Sequence, residues 1–152
     1  MGLKLYYKEN DVYIEVSSGG VQTSPISTVH NGKDGDISSV QLFLRNDDSA
    51  LWYSNIIVRP YDLTAQVNKD DTEYSSTGWG IKLSVGSEEP TQSGWNAITW
   101  GASIDMADIG ASGNPDISTY YPLWELITCP PYTDAQIKQN LSIRVEYTEN
   151  AV

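Results

Sequence analysis

Apolar and polar residues alternate with a period of two along much of this chain. That is the pattern of strands with one buried and one wet face. In DVYIEV, Val12, Ile14 and Val16 share one face, and Asp11, Tyr13 and Glu15 the other. VQLFLRN sets Val40, Leu42 and Leu44 against Gln41, Phe43 and Arg45. LSIRVEY sets Leu141, Ile143, Val145 and Tyr147 against Ser142, Arg144 and Glu146. GWGIKLSVG aligns Trp79, Ile81, Leu83 and Val85 opposite Gly80, Lys82 and Ser84. Further strands are expected over Leu3–Lys8, Ser54–Tyr61, Ala102–Ile109 and Tyr121–Cys129.

Turn chemistry separates these runs. KEND closes a hairpin between the first two strands, and RNDDSA and NKDD are Asn- and Asp-rich turns. ASGNPD and CPPYTD punctuate with Gly and Pro. Only TDAQIKQN reads as a short helical turn, capped by Thr133 or Asp134. Many strands with almost no helix predict an all-β antiparallel sandwich. A single domain spans residues 1–152, with an N-terminal hairpin and arm over 1–37 and the sandwich core over 38–152. Residues 17–39 are rich in Ser and Gly and long for a loop. They are expected to hold an edge strand around Val21–Val29 or to extend as an arm.

The tryptophans pose a choice between core and binding platform. Trp79 shares its face with three aliphatic residues and is expected in the core. Trp124 has Leu126 and Thr128 on its face, a weaker core signature, while Trp52, Trp95 and Trp100 flank turns.

Charge narrows the partners. With 20 Asp and Glu against 9 Lys and Arg, the net charge is -11, which repels phosphate backbones. Nucleic acid is therefore not an expected partner. No apolar run reaches membrane-spanning length, so no membrane partner is expected either. MGLKLYYKEN reads as a strand rather than a signal peptide, and folding in the cytoplasm is expected. One cysteine, Cys129, excludes an intramolecular disulfide. Its place before Pro130 and Pro131 suits a small buried residue better than a nucleophile. The single histidine, His30, lies far from Cys129 and suits neither a zinc pair nor a catalytic base. NGKDGD and NKDD carry hard oxygen ligands, but without the spacing of a calcium loop. No catalytic, cofactor-binding or metal-binding residue is assigned, and no cofactor is expected.

Two blocks, LFLRNDDSALWYSNIIVRPYD and LWELITCPPYTDAQIKQNLSIRVEY, resemble the central and closing strand pairs of immunoglobulin-like modules without disulfides. A third, GWGIKLSVGSEEPTQSGWNAI, resembles a segment in small virion proteins of tailed bacteriophages. The resemblance covers roughly residues 38–148 and implies an immunoglobulin-like β-sandwich. It implies a non-enzymatic structural protein of the virion, assembled in the host cytoplasm. A capsid decoration or cement protein is the first expectation; a neck, tail or baseplate protein is the alternative. The implied partners are the major capsid protein or other virion proteins, with a homo-oligomer on the particle. Residues 17–39 and the N-terminal hairpin are the segments expected to contact them. Aromatics at 11% of the chain keep a carbohydrate-binding module as a reading of another class.

Overall fold

The computed structural model describes residues 2–18, 20–23, 36–64, 66–68, 79–129 and 141–152. In chain order its elements are β1 (Leu3–Glu9), β2 (Val12–Glu15), β3 (Ser17–Ser18), β4 (Val21–Gln22), β5 (Asp36–Asn46), β6 (Leu51–Asp62), β7 (Val67–Asn68), β8 (Gly80–Val85), α1 (Gln92–Asn96), β9 (Ile104–Met106), β10 (Tyr121–Cys129) and β11 (Leu141–Ala151). They form two antiparallel sheets arranged as a sandwich. The first runs β2-β1-β5-β10-β8 and the second β3-β4-β11-β6-β7, with β9 also on β6.

Directly opposed residues of an antiparallel pair face the same way, so the registers define the inward rows. Leu5 opposes Leu44, and Leu42 opposes Leu123. Ile143 and Val145 oppose Pro60 and Val58 on the second sheet. These rows meet in one core that includes Leu3, Leu5, Leu42, Leu44, Tyr53, Ile56, Val58, Ile81, Leu83, Leu123, Ile143 and Val145. Leu141 and Tyr147 pack against it, as the alternation of LSIRVEY predicts. Tyr53 and Tyr147 meet edge to face, with ring centroids 5.2 Å apart.

Local chemistry sets the joints. Asn10 and Asp11 both have positive φ, 50° and 62°, which makes the two-residue turn that matches strand twist in a hairpin. Asn55, at φ 52°, marks a bulge where the β6–β11 register shifts between Glu146 and Thr148. The bulge reverses the phase of β6. Tyr53 before it and Ile56 and Val58 after it all reach the core. Gly20, at φ 79°, accepts the Val145 amide at 2.7 Å, and a Cβ there would lie 2.8 Å from the Val145 carbonyl.

Several expectations are corrected. The core is not confined to residues 38–152: β1 of the N-terminal hairpin pairs along β5, and Leu3 and Leu5 are core residues. In DVYIEV only Val16 is buried; Val12 is 59% exposed and Ile14 37%, because β2 is an edge strand. Trp79 lies just before β8, half-buried and outside the core cluster, and Val85 is 48% exposed. In the 17–39 segment, Ser17–Ser18 and Val21–Gln22 form a small hairpin whose second strand touches β11 through Val21 and Arg144. The expected strand beyond Thr23 falls on residues 24–35, outside the described residues, as does the helical turn expected in TDAQIKQN.

Asn46 opens the Asn- and Asp-rich turn RNDDSA, yet it is fully buried. Its Nδ2 donates to the carbonyls of Leu51 and Pro115, both at 2.8 Å, and its Oδ1 accepts the Asp48 amide at 2.8 Å. One side chain thus ties the β5–β6 turn to the loop before β10. Asn46→Ala strands these groups and should cost about 3 kcal/mol, within the range for buried unsatisfied polar atoms. Asn46→Asp should cost at least as much, because it turns a carboxylate toward two carbonyl oxygens. Urea denaturation midpoints of the three proteins check this.

Candidate functional site: the covered faces of the first sheet

The outward face of β8 and β10 is not left to solvent. Residues 86–101 fold back across it. Trp124 Nε1 and Gln41 Nε2 both donate to the Ser87 carbonyl, at 3.3 and 3.1 Å, and Ser39 donates to Glu89. Within this segment Thr91 caps α1 by accepting the Gly94 amide at 3.2 Å, and the Trp95 amide reaches the Thr91 carbonyl at 2.9 Å. The Glu-Glu-Pro-Thr run of residues 88–91 thus leads into a short helix. The Thr-x-x-Gly-Trp run carried a capping signal that Gly94 obscured.

α1 delivers Trp95, 4% exposed, against the sheet. Beneath it lies Lys82, which the alternation had assigned to a polar face. Lys82 is buried; its Nζ donates to the Trp95 carbonyl at 2.8 Å and sits 4.4 Å from the Trp100 ring centroid. Burial lowers its pKa. The tryptophan question resolves unevenly. Trp95 is enclosed, Trp100 covers a lysine, Trp124 is tied to a loop, and Trp52 and Trp79 are half-buried.

On the other half of the same face, rings pack together. Tyr13 and Tyr120 stack with centroids 3.6 Å apart, and Phe43 and Tyr6 meet them edge-on. Arg45 lies 4.8 Å from the Tyr120 ring centroid, donates to its hydroxyl at 2.8 Å, and holds the Ile117 carbonyl through Nε and Nη2. The stacked pair uses one face of each ring on the other.

The inward face carries one anomaly. Glu125 shares its row with Leu123 and opposes Val40 and Leu83, so its carboxyl points between the sheets. It is 4% exposed, and its Oε2 is buried without a hydrogen-bond partner. Burial pushes its pKa up to about 7. A raised carboxylic acid is what a glycoside hydrolase uses as general acid. Here it lies in the row between Val40 and Leu83, with 4% of its surface exposed. Sequence reasoning missed it; the signal was the Leu-x-Glu-x-Ile spacing of residues 123–127, which sets Glu125 in phase with two aliphatic residues.

Of the residues weighed in the sequence, Cys129 is buried, and His30 lies outside the described residues. NGKDGD and NKDD fall largely outside them too; among the described residues no three His, Cys, Asp or Glu side chains group as metal ligands. No family model, curated protein or solved structure matches the chain.

Two outcomes are expected. Trp95→Ala should lower stability by about 3–5 kcal/mol, and Trp79→Ala by clearly less, since only the first empties an enclosed site. Thermal and urea denaturation compare them. The folded state also holds a proton on Glu125 that the unfolded chain releases near pH 4.5. Its stability therefore falls as pH rises from about 4.5 to about 7 and then levels, by about 3 kcal/mol in all. Glu125→Gln should remove that slope and be the more stable protein at pH 8. Urea titrations from pH 4.5 to 8 read the difference.

Proposed function

We propose that this chain is a non-enzymatic structural protein of a tailed-bacteriophage particle, a decoration protein that binds the assembled capsid surface and stabilises it. The observation that carries the reading is where the chemistry lies. Lys82, Glu125 and Cys129, the groups best suited to reaction, are enclosed by the fold. Solvent meets half-buried tyrosines, acidic turns and an open strand edge. Such a surface suits adhesion to a larger assembly. The two-sheet sandwich supports the immunoglobulin-like resemblance, and both blocks that carry it lie on chain crossings between the sheets, β5 to β6 and β10 to β11. The mutual stacking of Tyr13 and Tyr120 speaks against a sugar platform, which needs free ring faces.

A protein that binds only the assembled shell stabilises it by mass action. Its site spans several subunits and forms with the lattice. The purified protein should therefore co-sediment with undecorated capsids far better than it binds free capsid subunits. Binding to isolated tails but not to capsids would move the assignment to the neck, tail or baseplate. Binding to neither would overturn it.

A further inference from the structure

Sheet edges are places where another chain can add a strand, and most edges here are blocked. Gly101 donates to the Ile81 carbonyl at 2.9 Å along the free side of β8. β7, β9 and the Tyr53–Ile109 bridge line the outer side of β6. β3 has only two residues. β2 differs. Val16 donates to the Leu5 carbonyl at 2.8 Å, so the peptide groups of Val12 and Ile14, and the Val16 amide, point toward β1. Tyr13 and Glu15 therefore direct theirs away from the sheet, and among the described residues nothing bonds them. The Thr23 amide on the Val16 carbonyl, at 2.9 Å, ends the open stretch.

We propose that β2 pairs antiparallel with β2 of a second copy, about a twofold axis at Ile14, joining two five-stranded sheets into one. In this register Tyr13 opposes the partner's Glu15, and each such pair exchanges both backbone hydrogen bonds. Ile14 meets the partner's Ile14, and the exposed Val12 flanks the contact. A twofold interface must be complementary to itself, and the charges of this edge are. On the outward face Lys8 lies beside Tyr13, with Nζ 5.1 Å from the ring centroid. The carboxylate it has, Asp11 at 3.8 Å, is on a 99% exposed side chain. Across Tyr13 the dimer places the partner's Glu15, already held by its own Lys4 at 3.6 Å. Each interface thus gains a lysine–glutamate pair on either side of the axis. No carboxylate lies directly opposite another; the two Glu15 side chains are diagonal neighbours across the axis, and each is drawn instead toward a lysine on either side, its own Lys4 and the partner's Lys8. The inference stands apart from the virion reading, because its test uses no particle.

The test is sedimentation of the full chain from micromolar to millimolar concentration. Moderate salt screens the repulsion between two chains of charge -11. Wild type should pass from monomer to dimer, and the Tyr13 and Glu15 amides should gain hydrogen-exchange protection with concentration. Ile14→Lys sets like charges directly opposite at the axis and should weaken dimerisation about tenfold or more. Lys8→Glu should weaken it by facing the partner's Glu15. Both sites are exposed enough for the monomer to keep its melting curve, which is measured alongside. A wild type that stays monomeric overturns the proposal. So does a dimer that Ile14→Lys leaves intact, or one that leaves the Tyr13 and Glu15 amides unprotected.

Discussion

The pairing of β5 with β10 sets the phase of the molecule. It runs unbroken from Tyr121 opposite Leu44 to Cys129 opposite Asp36, through the middle of the first sheet. Because side chains alternate with a period of two, a slip of one residue would exchange every inward residue for an outward one. A slip of β10 alone would turn Leu123 toward the covering loop and Trp124 and Leu126 toward the second sheet; a slip of β5 alone would do the same to Leu42 and Leu44 and to Phe43. The same register carries Glu125 inward and brings Gln41 and Trp124 under Ser87. Asn46 sits where β5 leaves this pairing, which is why one amide can hold two loops at the point of exit.

The strands were legible because burial and period agree. LSIRVEY needed no more than its alternation, and the Asn-Asp turn of the first hairpin was readable from residue type. The errors share a physical origin. Alternation reports two different faces but not what covers each. The outer face of β8 looked wet, yet residues 86–101 close over it, so Lys82 is buried and Trp95 rather than Trp79 is the enclosed tryptophan. The apolar row of β2 looked buried, yet β2 lies at the edge and only Val16 is enclosed. Glu125 sits in phase with Leu123 and Ile127, but a single sequence gives no sign that one of its carboxyl oxygens is buried without a hydrogen-bond partner.

Two of the buried charged side chains, Lys82 and Glu125, illustrate different solutions. Lys82 keeps a carbonyl and an indole face for its ammonium, and these compensate part of the lost hydration. Glu125 has no such company and meets the core as a neutral acid when protonated. The first tolerates neutral pH through contacts. The second does so only through its proton.

Asn55 has a consequence for how this sequence can change. The two halves of β6 are written in opposite frames, and that residue is the spacer between them. Substitutions in either half are read by their own neighbours, Ile109 on one side and β9 on the other. Gaining or losing a residue near position 55 shifts only the boundary between frames. The same event a few positions away would turn half of the strand inside out. The middle of β6 is therefore where a length change can be absorbed, although it lies within a paired strand rather than in a loop.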